Sequence, residues 1–384
     1  MNRKLRLGIL FGGRSAEHEV SLQSAKNIIA AIDPKKFDVI PIQIAKDGRW
    51  RAGVLPPGSP ANSSLAGIPK EGVEVIPAAT PSDAGPLIPV PKSAASLGPL
   101  DVIFPVLHGT FGEDGTMQGL LELTGIPYVG AGVLGSAVGM DKDVMKRLFR
   151  ERGLPIVPYL AVRRVDILVN PRAIFLAVEK KFRYPVFAKP ANLGSSVGIS
   201  KARNRKELEK ALCSAAEYDH KVLVEKAMQA REIECAVLGN DDPIASLPGE
   251  VIPAGDFYDY SAKYLEDTAQ LIVPAPLRPM QVKRVQQLAI AAFQATECSG
   301  MARVDFFLEK RTGRIYLNEI NTIPGFTKIS MYPRMWEASG LPYTKLIDRL
   351  IELAIKHHRE KASTRYSLLP SQTHSRQKQE PART

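Results

Sequence analysis

Two apolar stretches, residues 303–308 and 315–321, flank the polar run Lys310-Arg311-Thr312-Gly313-Arg314. The pattern predicts a hairpin: strand, tight turn, strand. Gly313 suits the left-handed position of a three-residue loop. With the loop centred on Thr312, antiparallel pairing sets Asp305 opposite Glu319 and Arg303 opposite Asn321. Side chains alternate faces along a strand, so all four project from one face. Two carboxylates, a carboxamide and a guanidinium on otherwise apolar strands point to a lined cleft. The bland alternative is a solvated hairpin face. Hard oxygen ligands of this kind suit Mg²⁺ held beside phosphates, and the arginine stands where negative charge would develop during transfer.

The rest of the chain reads as α/β followed by α+β. Residues 5–11 are a short apolar strand, 17–32 fit a helix with Val20, Ala25, Ile28 and Ile29 on its apolar face, and 37–44 are a second strand. This βαβ opening predicts a parallel sheet. Residues 56–100 are rich in Pro, Ala, Ser and Gly and read as a variable surface insertion with a peripheral hairpin around 73–76. Gly153-Leu154-Pro155 marks a unit boundary. Strands at 101–107, 186–189, 222–225 and 233–238 and helices at 117–123, 141–152, 206–217, 281–296 and 341–357 complete the reading. The expected division is 1–145, 146–230 and 231–358, with a long loop at 249–275 and a disordered tail at 359–384.

The net charge of +11 raises the question of nucleic acid. Six Lys/Arg against two Asp/Glu in the 359–384 tail account for +4 of it, and no basic run is interleaved with aromatics. A polyanionic small-molecule site is the better reading. Cys213, Cys235 and Cys298 are scattered without C-x-x-C spacing, which predicts free thiols in a reducing compartment and no zinc. No window approaches a membrane span, and the apolar run at the N-terminus stops at Gly12-Gly13-Arg14. The expectation is a cytoplasmic protein.

Three loops carry further chemistry. Lys189 ends an apolar strand and feeds Asn192-Leu193-Gly194-Ser195-Ser196-Val197-Gly198, whose small residues let backbone N–H groups approach a phosphate. It is not a Walker A loop. His108-Gly109-Thr110-Phe111-Gly112-Glu113-Asp114-Gly115 follows a buried strand and reads equally as a ligand-lining loop or as a tight turn with a capping acid. Gly12-Gly13-Arg14-Ser15 opens a helix, and Glu17 lies in its first turn. Locally, Met140-Asp141-Lys142 looks like a helix cap and Glu225-Lys226-Ala227-Met228 like a loop.

Taken in order, these motifs resemble the D-alanine–D-alanine ligase family of the ATP-grasp superfamily. The likeness also rests on Tyr258-Asp259-Tyr260-Ser261-Ala262-Lys263-Tyr264 and on Asn318-Glu319-Ile320-Asn321-Thr322-Ile323-Pro324-Gly325. It runs from about Leu5 to about Lys356, leaving out the 56–100 segment and the tail. The resemblance implies an ATP-grasp architecture: an N-terminal parallel α/β (preATP-grasp) domain, a central lid domain and a C-terminal antiparallel-sheet domain. It implies an enzyme in which ATP phosphorylates one D-alanine and the amine of a second attacks the acylphosphate, making a dipeptide for peptidoglycan precursors. Asp305, Glu319 and Asn321 would hold two Mg²⁺ ions, or Mn²⁺. Lys142, Lys189, Lys263 and the Ser195–Ser196 backbone would contact phosphates, Lys226, Ala227 and Met228 adenine, Glu225 the adenine end and Glu232 the ribose. Arg303 and the Gly325 N–H would form the oxyanion site. Glu17, linked to Ser195 and Tyr264, would pair with the first substrate's ammonium, with His108 nearby. Ser330 and Met331 would take the second substrate's carboxylate. The 249–275 loop would be a lid that excludes water from the acylphosphate. The family also implies a homodimer, with no nucleic-acid or membrane partner.

Within the resemblance the rivals are a D-alanine–D-lactate or D-alanine–D-serine ligase, and another ATP-grasp carboxylate–amine ligase. Tyr258, Tyr260, Lys263 and Tyr264 together favour the dipeptide. A nucleotide-sensing protein without catalysis is disfavoured by the intact Arg303, Asp305, Glu319 and Asn321. Ile323 and Gly139 depart from the residues common in relatives, and neither is a proposed ligand.

Overall fold

The computed structural model of the protein describes residues 3–53, 72–77, 87–89, 98–194, 197–253 and 270–365. The opening βαβ unit is present: strand Leu5–Gly12, helix His18–Ala31, and strand Phe37–Ile44 parallel to the first. Val102–Val106 pairs parallel on the other side of Leu5–Gly12. The sheet is not wholly parallel, because Trp50–Ala52, Val73–Pro77 and Leu87–Pro89 extend it antiparallel. The last two form the peripheral hairpin expected inside 56–100. Residues 54–71, 78–86 and 90–97 of that region lie outside the described residues. At the carboxyl end of the first strand, a Cβ on Gly12 would stand 2.2 Å from Ile44 O, and φ is +94°. Only glycine lets the chain leave the sheet there.

A second sheet is antiparallel, in the order Tyr159–Arg163, Lys221–Lys226, Val186–Pro190, Ser200–Ala202. Phe175 and Val178 of helix Pro171–Lys181 and Leu208 and Leu212 of helix Arg205–Tyr218 share its core with Val186, Val222 and Val224. The third sheet runs Gln270–Ile272, Gly249–Ile252, Ala230–Gly239, Gly300–Glu309, Ile315–Asn321, with Ile244–Ala245 pairing off Ala230–Gly239. Helix Pro279–Ala295 packs on it through Val285, Leu288, Ala292 and Phe293.

Helix Tyr343–Ala362 ties the first and third units together. Its Leu346, Ile347 and Leu350 belong to one core with Leu7 and Phe104 of the first sheet and Met301 of the third. The helix continues to Ala362, so the first residues of the expected 359–384 tail are helical; 366–384 lie outside the described residues.

The predicted hairpin forms with the predicted facing pairs, by a different route. Glu309 N–H donates to Arg314 O and Gly313 N–H to Glu309 O, both at 2.9 Å. The loop therefore has four residues, 310–313, and not three. Gly313 is left-handed as expected, at φ +69°. Leu308 pairs with Ile315 and Phe306 with Leu317. Continued unbroken, that register would set Asp305 opposite Asn318 and turn Glu319 and Asn321 to the apolar face. A register shift between Asp305 and Phe306 intervenes, a bulge that leaves Asn318 unpaired. It restores Asp305 opposite Glu319 and Arg303 opposite Asn321. The buried residues record the extra position, since Leu317 and Ile320 are three apart and both face the core.

Candidate active site

Residues from several of the loops read from the sequence meet around a cavity of about 630 Å³, whereas Gly12-Gly13-Arg14-Ser15 lines another of about 270 Å³. Glu17, His108, Lys142, Lys189, Glu232, Arg303, Asp305, Glu319, Asn321, Gly325, Ser330 and Met331 all line the larger one. They come from all three units, so the site exists only where the sheets meet. Ser195, Ser196, Lys263 and Tyr264 lie outside the described residues, as do 254–269 of the expected lid.

The hairpin face is tightly cross-linked. Arg303 donates to both Asp305 carboxylate oxygens at 2.7 Å from Nε and Nη2, and its Nε lies 3.0 Å from Glu234 Oε2. Burial opposes the guanidinium's charge, but the carboxylates of Asp305 and Glu234 outweigh it and hold the group protonated. Asn321 Nδ2 donates to Asp305 Oδ2 at 3.1 Å. Lys142 Nζ lies 3.7 Å from Glu319 Oε2 and donates to Leu193 O at 2.7 Å, tying the glycine-rich loop to the hairpin. Asp141 is the cap that local pattern predicted: it accepts the Asp143 and Val144 N–H groups at 3.0 Å and starts helix Lys142–Glu151.

Lys189 is nearly buried and ion-pairs with Glu225, whose other oxygen is 2.7 Å from Lys146 Nζ. Burial would raise the Glu225 carboxyl; the two lysines override it and hold it at about 2. Burial pushes Lys146 down, whereas Glu225 more than offsets burial at Lys189 and raises it. Glu225 thus anchors Lys189 and Lys146 through its two oxygens. Residues 225–228 do not line the cavity. The Lys226 and Ala227 N–H groups donate to Pro158 O and Pro185 O, both at 3.2 Å.

The two acids of the 108–115 loop have separate tasks. Asp114 is the capping acid of the bland reading: it accepts the Phe111 N–H at 2.8 Å and the Thr116 N–H at 3.0 Å. Glu113 instead lines the cavity, accepting the Gly109 N–H at 2.9 Å and the Ile323 N–H at 3.3 Å. Burial first, then the Glu17 carboxylate, push Glu113 up to about 8, against the pull of those N–H groups and of Lys142. Glu17 is the residue just before helix His18–Ala31. A Cβ on Gly194 would come within 3.2 Å of Glu17 Oε2 and 4.0 Å of Glu113 Oε1, so the glycine loop closes over both acids.

His108 is buried, and burial lowers its pKa despite the nearby Glu17. Its Nδ1 lies 2.9 Å from Ile323 O and must carry the proton, because a carbonyl only accepts. In the neutral ring Nε2 then accepts from Ser24 Oγ at 3.3 Å. Beyond this loop, Thr327 N–H donates to Ser330 Oγ at 3.0 Å, at the start of helix Met331–Ala338.

Sequence reading named Glu113 only as one of two acids in the 108–115 loop and missed Lys146 and Ser24. A signal existed for the last: Ser21 and Ser24 fall on the buried face of an amphipathic helix beside Ala25 and Ile28. Ser21 Oγ accepts the Gly12 N–H at 2.7 Å and donates to Val106 O, joining the two neighbouring strands.

A cavity lined by Lys142, Lys189, Arg303 and hard carboxylate oxygens, walled by an α/β unit and two antiparallel sheets, is that of an ATP-grasp ligase. Comparison with known proteins narrows the class. Family models for the D-ala D-ala ligase N-terminus and C-terminus match residues 6–131 and 148–352. A D-alanine–D-alanine ligase of Solibacter usitatus (strain Ellin6076) is 50% identical over 364 residues, 95% of this chain and 99% of that protein. The solved D-alanine-D-alanine ligase of Coxiella burnetii superposes with a TM-score of 0.81 at 41% identity, covering 94% of this chain and 97% of that one. The VanG D-Ala:D-Ser ligase of Enterococcus faecalis gives 0.81 at 37%, covering 92% and 100%. The chain belongs to the D-alanine–D-alanine ligase family.

Proposed function

We propose that this cavity joins two D-alanines at the expense of ATP, through a D-alanyl phosphate and a tetrahedral intermediate, to supply peptidoglycan precursors. The enzyme is an ATP-dependent D-alanine–D-alanine ligase by its family. The observation that carries the site assignment is the meeting of Glu17 and His108 with Lys142, Lys189 and the Arg303 hairpin around one cavity. Relatives at about half identity are D-alanine–D-alanine ligases, whereas the D-Ala:D-Ser ligase shares 37%. This favours the dipeptide over the depsipeptide and D-serine rivals.

In this reading Lys142 and Lys189 neutralise the phosphates, joined by Lys263 and the Ser195–Ser196 backbone. Glu232 takes the ribose. On the family resemblance, the backbone of Lys226, Ala227 and Met228 reads adenine and Glu225 helps at the adenine end; the Met228 N–H has no hydrogen-bond partner among the described residues. Glu17 receives the first ammonium, with Ser195 and Tyr264. Ser330 and the helix start at Met331 receive the second carboxylate, the dipole adding to the attraction. Attack by the second amine puts negative charge on the former carboxylate oxygen. In this reading the Arg303 guanidinium and the Gly325 N–H, both lining the cavity, meet that charge.

Among the described residues no group of three or more His, Cys, Asp or Glu is arranged to hold a metal. Asp305, Glu319 and Asn321 supply two carboxylates and a carboxamide on one hairpin face. That fits Mg²⁺, which is commonly held by one or two carboxylates while nucleotide phosphates complete its shell. When bound there, the ions would neutralise phosphate charge and align in-line transfer. The further elements of the reading are the division into units 1–145, 146–230 and 231–358, the lid at 249–275, a homodimer and a cytoplasmic setting. The free thiols Cys213, Cys235 and Cys298 support the last.

The test is phosphate release from ATP and Mg²⁺ with D-alanine, with L-alanine, and with D-alanine plus D-lactate, products identified by mass. D-alanyl-D-alanine formed from the D-isomer only is the expected result. Turnover confined to another carboxylate and amine would discard the substrate assignment.

A further inference from the structure

Gly325 is half-buried between Ile323 and Phe326, each of which has both its backbone N–H and its C=O hydrogen-bonded. On one side, Ile323 N–H donates to Glu113 Oε2 at 3.3 Å, and Ile323 O accepts from His108 Nδ1 at 2.9 Å. On the other, Phe326 N–H donates to Ser24 Oγ at 3.3 Å, and Phe326 O accepts from the Tyr343 hydroxyl at 2.7 Å. Ile323 and Phe326 are 3% and 1% exposed, so these bonds are shielded from bulk water. The Phe326 ring is wedged as well, 5.8 Å from Phe104 and 5.5 Å from Tyr332. The grips are linked, because Ser24 Oγ also reaches His108 Nε2 at 3.3 Å. Pro324 and Gly325 therefore hang between two fixed peptides, and proline leaves the span one less free torsion.

We infer that Ser24, His108, Glu113 and Tyr343 are positioning residues that hold the Gly325 N–H rigidly toward the oxyanion of the tetrahedral intermediate. The inference rests on the oxyanion reading above and extends it to side chains outside the reacting shell. A donor aimed in advance at developing charge lowers the barrier because nothing must reorganise during the reaction. Three of the four residues belong to the N-terminal unit, Tyr343 to the last helix, and the loop follows the C-terminal hairpin. The first unit would thus contribute to the chemical step as well as to binding the first substrate.

Tyr343→Phe and Ser24→Ala remove one grip each with little change in packing. The readouts are kcat, KM for ATP and for D-alanine, and the affinities for ADP and for a dipeptide phosphinate whose tetrahedral oxygens mimic the intermediate. Removing a whole oxyanion donor costs about 10²–10³ in kcat, so loosening one is expected to cost about tenfold. Phosphinate affinity should fall by the same factor, with KM for ATP and ADP affinity within about twofold of wild type. The double variant should lose less than the product of the single losses, since both act on one loop. Glu113→Gln, which keeps one acceptor, should lose less than Glu113→Ala. Folded Tyr343→Phe and Ser24→Ala enzymes with wild-type kcat and phosphinate affinity would overturn the positioning role and leave Gly325 as the donor. Equal weakening of ADP and phosphinate would overturn it too, by showing general damage. If the wild-type enzyme binds the phosphinate no better than the dipeptide product, the oxyanion reading falls and the positioning role with it.

Discussion

Glu225→Gln keeps the side chain's shape and removes the charge that two buried lysines share. Glu225 and Lys146 are each 1% exposed and Lys189 is 7% exposed. The carboxyl falls from its ordinary 4.5 to about 2 because the lysines overcome burial. At roughly 1.4 kcal/mol per tenfold change in proton affinity, that drop corresponds to about 3 kcal/mol of folding stability. Its pH window follows from the sign. A carboxylate with a depressed folded pKa contributes fully above its unfolded value near 4.5, and the contribution disappears as pH falls through about 2. The glutamine variant also strands Lys146 and Lys189, and breaking a buried pair from one side costs about 3–5 kcal/mol. Urea unfolding of both proteins should therefore show a gap of about that size at pH 7 that narrows steadily from pH 4.5 downward. Adding Lys146→Met should recover part of the loss by removing an uncompensated cation. KM for ATP should rise in the single variant, because Lys189 loses the anchor that aims it. A gap below about 1 kcal/mol at pH 7, or one of constant size with pH, would refute the reasoning.

Three other outcomes follow from the same geometry. Arg303→Ala should lower kcat by about 10²–10³ or more while ATP binding stays measurable by calorimetry; wild-type turnover would remove arginine from the oxyanion site. Deleting Asn318 removes the extra residue and leaves Asp305 opposite Glu319 and Arg303 opposite Asn321 in an unbroken ladder, so ligation should survive within about tenfold of wild type, as it should in Asn318→Ala. Loss of ligation in the deletion variant alone would show that the bulge does more than restore the register. Gly12→Ala drives a Cβ to 2.2 Å from Ile44 O at φ +94° and should lower stability by about 2 kcal/mol or more in thermal unfolding.

Periodicity made the large elements legible. Strand Phe37–Ile44 and helices Arg205–Tyr218 and Pro279–Ala295 matched to within a few residues, because burying one face imposes a pattern that local propensity does not hide. Helix Val133–Met140 left no such trace. Its sequence, VLGSAVGM, has two glycines and no polar face, since Gly135 and Gly139 sit where a Cβ would strike Glu297 O at 2.7 Å and Thr322 Cγ2 at 2.8 Å. Close packing against the third unit decided that segment. Short strands such as Ser200–Ala202 and Trp50–Ala52 are held by the strands they pair with, and three residues carry too little pattern to be read alone.

The site was legible as a set of residue types and less so as a geometry. The facing pairs of the hairpin came out right because two one-residue errors cancelled: a loop longer by one and a strand bulged by one. Side-chain alternation has period two, so either change alone would have sent Glu319 and Asn321 to the wrong face. Leu317 and Ile320 already hinted at the bulge, being apolar residues three apart in a strand that should alternate. The same limit explains Glu113 and Asp114. Adjacent acids in one turn look alike in sequence, yet one caps a helix start and the other reaches Ile323, 210 residues away. What separates them is the direction in which each Cβ leaves the turn, and that is fixed by the backbone of Gly109, at φ +73°, and of Phe111, at φ +65°. A left-handed phenylalanine is a strained conformation, held here by Asp114 accepting its N–H. The capping acid thus maintains the turn that aims its neighbour into the cavity, so the structural and the functional reading of this loop describe one device.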